Sequence, residues 1–212
     1  MRLYCATTNP GKLREFRMAL RDSFDVQPLP GLASIPVCEE TGATFEENAI
    51  QKALYYSRHC EGYLFVDDSG LEVDALEGAP GVYSARYAGP EATDEQNNGL
   101  LLARMRGFAN RAARFVCVVA VADRGSLLGT FRGEVEGTLA EEPRGNGGFG
   151  YDPLFYYPPF ACTFGEAPLE EKMRVSHRSR ALAQLRSRLQ CCGSRPIRLA
   201  GSCGGECKQT PA

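Results

Sequence analysis

Apolar and polar positions follow two rhythms along the chain, and each change of rhythm marks an element. Leu3-Tyr4-Cys5-Ala6, within residues 2–7, is a short apolar run that reads as a first strand. It stops at Thr7-Thr8-Asn9-Pro10-Gly11-Lys12, after which Leu13, Phe16 and Leu20 fall at helical spacing. Residues 22–37 are Pro-rich and irregular, with one candidate strand near Val26. Thr44 and Glu47 form a capping-box pair, so a helix is expected with Phe45, Ala49, Ile50, Ala53 and Leu54 on its buried face. Asn48 and Lys52, four apart, share another face of it. The apolar run Tyr63 to Val66 ends abruptly at Asp67-Asp68-Ser69-Gly70, which reads as a strand delivering carboxylates to the rim of a sheet.

Thr93 and Gln96 form a second capping-box pair, predicting a helix that carries Leu100, Leu101 and Met105. Residues 108–113 read as a polar link. Arg114 to Ala122 holds the continuous apolar run Phe115 to Val121, the pattern of a central strand buried on both faces. Leu127 to Val135 reads as its hairpin partner through Asp123-Arg124-Gly125-Ser126, with Thr138-Leu139-Ala140 a candidate extension. Residues 154–171 read as irregular, and a last helix over 179–189 buries Leu182, Leu185 and Leu189. Strand and helix alternate early and a hairpin follows. The pattern predicts an α/β domain: a long, twisted, mixed β-sheet flanked by helices, with two lobes around a central substrate cleft. Residues 1–190 are expected to form that domain, and 191–212 a Cys/Gly-rich tail that is disordered or loosely packed.

Composition narrows the function. A net charge of −2 over 212 residues argues against a general nucleic-acid or membrane binder. No apolar run approaches the ~18 residues of a membrane span, and Met1 to Ala6 lacks the apolar core of a signal peptide. The expected compartment is the cytoplasm. Of the nine cysteines, Cys5 and Cys117 lie inside apolar runs and read as buried thiols. Cys191, Cys192, Cys203 and Cys207 cluster in the tail, but their spacing matches zinc motifs poorly. Of the 24 basic residues only four are lysine, Lys12, Lys52, Lys172 and Lys208; the other twenty are arginine. A compact ammonium suits phosphate oxygens, so the three lysines in the body of the chain point to an anionic ligand.

The candidate chemistry follows from these positions. Asp67 and Asp68 suit a hard cation or a base that activates water, although acidic turn residues are common. The strand, polar loop and helix around Lys12 have the layout of a phosphate-binding corner, and equally of a plain strand–turn–helix. Glu46 and Glu47 suit the helix N-terminus, which leaves the loop residues Glu39 and Glu40 freer to act as ligands. Four of the six residues from Gly145 to Gly150 are glycine, and Phe149 among them is either a stacking platform for a base or a core residue under a hairpin loop. His177-Arg178 reads either as a pair facing the polar edge of a ligand or as an exposed helix start.

Six pieces in order resemble the inosine triphosphate pyrophosphatase family, the XTP/dITP diphosphatases. They are Thr7 to Lys12; Glu39 to Gly42 with Phe45 to Ala49 and Lys52-Ala53; Asp67 to Leu71; Gly78 to Tyr87; Gly147 to Pro153; and Glu171-Lys172 with Ser176-His177-Arg178. The resemblance spans residue 2 to about 190. It implies Mg²⁺-dependent hydrolysis of ITP, dITP or XTP to monophosphate and pyrophosphate by a homodimer. By the same resemblance Thr7, Thr8, Asn9, Pro10, Gly11 and Lys12 hold the triphosphate, and Glu40 and Asp68 hold the metal. Asp68 is the proton acceptor and Lys52 adds cationic charge. Ser69 and Lys172 contact substrate, Phe149, Gly150, Tyr151 and Asp152 enclose the base, and His177 and Arg178 read it. Arg178 has donors only, which favours a 6-keto purine over adenine. The alternatives are a non-catalytic nucleotide-binding regulator on the same scaffold and, more distantly, a redox or zinc protein centred on the tail.

Overall fold

The structure, a computed structural model, describes residues 1–191. Seven strands form one mixed sheet: β1 (Arg2–Cys5), β2 (Asp25–Pro28), β3 (Leu64–Val73), β4 (Ala112–Asp123), β5 (Ser126–Leu139), β6 (Phe155–Tyr157) and β7 (Cys162–Thr163), in the order β2-β1-β3-β4-β5-β6-β7. The helices are α1 (Pro10–Leu20), α2 (Phe45–Tyr56), α3 (Asp94–Arg104), α4 (Leu169–Val175) and α5 (His177–Cys191). β1 pairs in parallel with both β2 and β3, and every later pairing is antiparallel. The chain leaves β1 through α1 to one side and reaches β3 through α2 on the other. The C-terminal end of β1 is therefore a topological switch point, where open α/β sheets bind ligands.

Side-chain alternation on β3 and β4 distributes the core. On one face Phe65, Cys117, Val119 and Val121 pack against Phe16 and Leu20 of α1 and Leu182, Leu185 and Leu189 of α5. On the other, Leu64, Val66, Val116, Val118 and Ala120 pack against Phe45, Ala49 and Ala53 of α2. A third cluster joins Leu71, Val73 and Phe115 to Leu101, Met105, Leu154, Phe155 and Phe164. It lies on the face of Phe65 but further along β3. Asp67 and Ser69 occupy the gap between these two cores, because residues two apart share a face. The cleft between the lobes is that gap.

Both capping boxes form as the sequence predicts, at Thr44/Glu47 and Thr93/Gln96, and Cys5 and Cys117 are fully buried. Four expectations need correction. β3 does not end at the carboxylates: Asp67 and Asp68 stay in register with Val119 and Val118 of β4, and the strand runs on to Val73. β1 is what ends, at Cys5 opposite Phe65, so the carboxylates border the opening beyond it. β4 already begins at Ala112, in the expected polar link, while β5 runs through Leu139 as the candidate extension anticipates. The stretch 154–171 contains β6, β7 and the start of α4. Finally, α5 begins at His177 rather than 179. The tail cysteines 192, 203 and 207 lie outside the described residues.

Candidate active site

Asp67 and Asp68 are consecutive on an extended strand, so their side chains leave opposite faces of the sheet. Each meets a different helix. Asp67 receives Lys12 Nζ from α1 at 2.9 Å, Ser69 Oγ at 2.9 Å and Arg178 Nε from α5 at 3.3 Å. Asp68 receives Lys52 Nζ at 2.7 Å and Asn48 Nδ2 at 3.4 Å, both from α2. Burial alone would raise the Asp67 carboxyl, yet Lys12, Arg178 and Lys52 hold it well below the ordinary carboxylate range. At Asp68 burial prevails over Lys52, and its carboxyl is raised. One strand thus carries a firmly ionised carboxylate on one face and a more basic one on the other.

The Asp67 side continues into a buried ionic network. Arg178 donates Nη1 to Glu15 of α1 and Nη2 to Ser69 Oγ at 2.9 Å. Lys172 Nζ donates to Glu15 at 2.8 Å and to Asp152 at 2.5 Å. Glu15, Asp67, Asp152, Lys172 and Arg178 have side chains no more than 3% exposed. Unpaired charges at such depth would be very costly. Here Glu15, Asp67 and Asp152 face Lys12, Lys172 and Arg178, three against three.

This network floors a cavity lined by Asn9, Lys12, Ser69, Phe149, Tyr151 and His177, among others. The ring of Phe149 lies over it, 5.2 Å from Lys172 Nζ and 5.5 Å from Arg178 Cζ. His177 stacks on Phe115 with centroids 4.8 Å apart, and burial with the nearby Arg178 and Lys172 keeps its imidazole neutral. Its Nδ1 is buried without a hydrogen-bond partner among the described residues. Both members of the His177-Arg178 pair are buried, so they are not an exposed helix start. Asn9 caps α1, accepting from the Lys12 N–H at 3.0 Å, with Pro10 in the first turn. This shapes the loop Thr7 to Lys12 at the end of β1.

A family model described as the Ham1 family matches residues 3–188. The chain belongs to the Ham1 family. Its similarity to named members is extensive, which bears out the resemblance carried by the six motifs. A protein of Acidobacterium capsulatum named dITP/XTP pyrophosphatase is 51% identical over 198 residues, covering 88% of this chain and 97% of the relative. One of the same name from Exiguobacterium sp. is 48% identical over 190 residues, covering 89% and 97%. Among solved structures, a HAM1 protein from Coxiella burnetii matches with a TM-score of 0.81 at 40% identity, covering 90% of this chain and 98% of the other. The Staphylococcus aureus Ham1 protein matches at 0.80 and 38%, covering 90% and 99%.

On the opposite face of β3, this Ham1 protein gathers a second cluster. Glu40 and Asp68 both approach Lys52 Nζ, at 3.0 and 2.7 Å, and Arg86 lies 3.6 Å from Glu40. Two carboxylates converging on one ammonium offer oxygen donors of the kind a hard divalent ion takes, but only part of its shell, since among the described residues no three His, Cys, Asp or Glu gather for a metal. Asn48 ties the neighbouring loop to α2 by accepting from the Gly42 N–H at 2.8 Å. The predicted residues therefore divide. Asn9, Lys12, Ser69, Phe149, Gly150, Tyr151, Asp152, Lys172, His177 and Arg178 share the cavity, while Glu40, Lys52 and Asp68 lie across the strand. Thr7, Thr8, Pro10 and Gly11 shape the connecting loop without lining the cavity. Glu39 is exposed. Sequence reasoning missed Glu15 and gave Asn48 and Arg86 no role in the site. Glu15 stands three residues after Lys12 on one helix face, and Asn48 four before Lys52; that spacing to a scarce lysine was the available signal.

Proposed function

We propose that this chain hydrolyses non-canonical purine nucleoside triphosphates, ITP, dITP and XTP, to the monophosphate and pyrophosphate, with Mg²⁺ held by Glu40 and Asp68. One observation carries the reading. A carboxylate pair focused on a cation adjoins, across a single strand and at the sheet's switch point, a cavity that ends in an aromatic ring and a buried arginine. A triphosphate laid along the opening beyond β1 would join the two. The loop Thr7 to Lys12 would bind its phosphates through the Gly11 N–H at the start of α1, Pro10 having none and Lys12 giving its own to Asn9, and through the Lys12 ammonium.

When bound, a divalent ion supplies charge against the phosphoryl oxygens and makes water more acidic. The remaining steps belong to the chain. Water attacks the α-phosphorus: its oxygen forms the new P–O bond, the bond to the bridging oxygen breaks, and pyrophosphate leaves with that electron pair. Asp68 takes the water's proton, a role that suits a carboxyl raised by burial. Lys12 and Lys52 offset the negative charge, while Lys172, buried against Glu15 and Asp152, supports the base end, so catalysis rests on positioning and electrostatics.

At the base end, Phe149 stacks on the purine above Gly150, Tyr151 and Asp152. Arg178 commits one N–H each from Nε, Nη1 and Nη2 to Asp67, Glu15 and Ser69. Two of its five N–H groups remain to meet a 6-keto oxygen. The neutral ring of His177 adds a second reading group. The proposal extends to a homodimer, as the motif resemblance implies, and to the cytoplasm as its compartment; sedimentation tests the dimer. Hydrolysis of ITP in ¹⁸O-water with Mg²⁺ tests the reaction. The label is expected in IMP and absent from pyrophosphate; label in pyrophosphate, or release of orthophosphate, contradicts attack at the α-phosphorus.

A further inference from the structure

The loop that carries Phe149 is held at one residue by two side chains of α3 that have no part in the chemistry above. Gly150 donates its N–H to Asp94 Oδ2 at 2.6 Å, and its carbonyl accepts from Asn98 Nδ2 at 3.0 Å. Asp94 and Asn98 are four apart, so one helix face takes both backbone polar groups of a single residue. Gly150 has φ +60°, with open space where a Cβ would stand. A glycine here answers to conformation rather than to crowding. Asn98 is buried, and its Oδ1 has no hydrogen-bond partner among the described residues. Leaving a buried acceptor unpaired carries a cost, so this amide is held for its donor.

The neighbouring residue is anchored on its other side. Phe149 donates its N–H to Asp152 Oδ2 at 2.9 Å, the oxygen that also receives Lys172. The Phe149 ring rests against Gly11 at the start of α1, where an added Cβ would stand 2.5 Å from ring atom Cδ1. The ring thus faces α1, α4 and α5, while the peptide beside it is gripped by α3.

We propose that Asp94 and Asn98 are positioning residues that grip Gly150 and thereby fix Phe149 over the base end of the cleft. Recognition of the base depends on them, and recognition of the triphosphate does not. The inference rests on the reading that Phe149 encloses the base. The test compares Asp94→Ala, Asn98→Leu and Phe149→Ala, measuring kcat and KM for ITP and the inhibition constant of inorganic tripolyphosphate, which has no base. Losing one such hydrogen bond is expected to raise the KM for ITP about 10-fold. In the two α3 variants kcat and the tripolyphosphate constant are expected to change less than about twofold. Asp94→Asn keeps an acceptor for the Gly150 N–H and is expected to restore most of the affinity. Asp94 is exposed and borders the cavity, so its variants leave the core closed, and Asn98→Leu, at a buried residue outside that lining, tests the grip apart from any contact of Asp94 with the ligand. A raised KM in Phe149→Ala with unchanged KM in both α3 variants overturns the grip alone. An unchanged KM in Phe149→Ala overturns the base reading and the grip with it. A matching rise in the tripolyphosphate constant of the α3 variants also overturns it, since it would mark general damage to the cleft.

Discussion

Asp67 and Asp68 are chemically identical neighbours that the fold makes unlike. Asp67 has three cationic groups around it and is held strongly ionised, which suits a structural anchor for Lys12 and Arg178. Asp68 shares Lys52 with Glu40, and burial raises its carboxyl. Asp68→Asn keeps the size and an acceptor for Lys52 but removes the base. We expect kcat for ITP to fall about 10²–10⁴-fold with a thermal midpoint close to that of the parent protein; a near-parental rate would remove Asp68 from the base role. At this scale the sequence was informative where a residue type is scarce. Lys12, Lys52 and Lys172 stood out in an arginine-rich chain, and each contacts a buried carboxylate of the site. Glu15 is marked in the sequence only by its spacing to Lys12, because its burial is imposed by Lys172 and Arg178, 157 and 163 positions away.

Among elements, the lock between α1, α4 and α5 is ionic as well as apolar. Glu15 of α1 receives Lys172 of α4 and Arg178 of α5, so one carboxylate joins three helices beneath the cleft. Burial alone would raise its carboxyl, but Arg178 and Lys172 hold it below the usual value. Glu15→Gln leaves two buried cations short of counter-charge. Breaking such a pair costs on the order of 3–5 kcal/mol, and urea unfolding of the variant is expected to show a loss of that size. A loss below about 1 kcal/mol would show that water or a neighbour compensates. Elements with strong local signals were legible, notably the two capped helices and the apolar run of β4. Asp-Asp-Ser-Gly has turn chemistry, which predicts too short a β3. Ten paired positions with β4, from Leu64 to Val73, override that preference. β6 and β7 are three and two residues long in a Pro-containing stretch, and nothing local announces strands so short.

At the scale of the whole molecule, the cleft exists because one face of the sheet carries two apolar cores with a gap between them. The two-lobed plan was legible from the alternation of elements, but the gap was not, since it depends on where β1 stops relative to β3. The residues beyond α5 lie past the family match, which ends at 188, and each site side chain lies within it. We propose that residues 1–190 are sufficient for function. A chain ending at residue 190 is therefore expected to hydrolyse ITP within about twofold of the full-length rate. A large loss would assign residues 191–212 a part in the site or in folding. The central claim is selective pyrophosphate release, and a panel of ITP, dITP, XTP, GTP and ATP with Mg²⁺, assayed for pyrophosphate, tests it most directly. The account predicts rapid release from ITP, dITP and XTP, with ATP at least about 100-fold slower in kcat/KM, the scale on which an unpaired hydrogen-bonding site rejects a mismatched base; equal rates on ATP and ITP, or binding without release from any of the five, would contradict it.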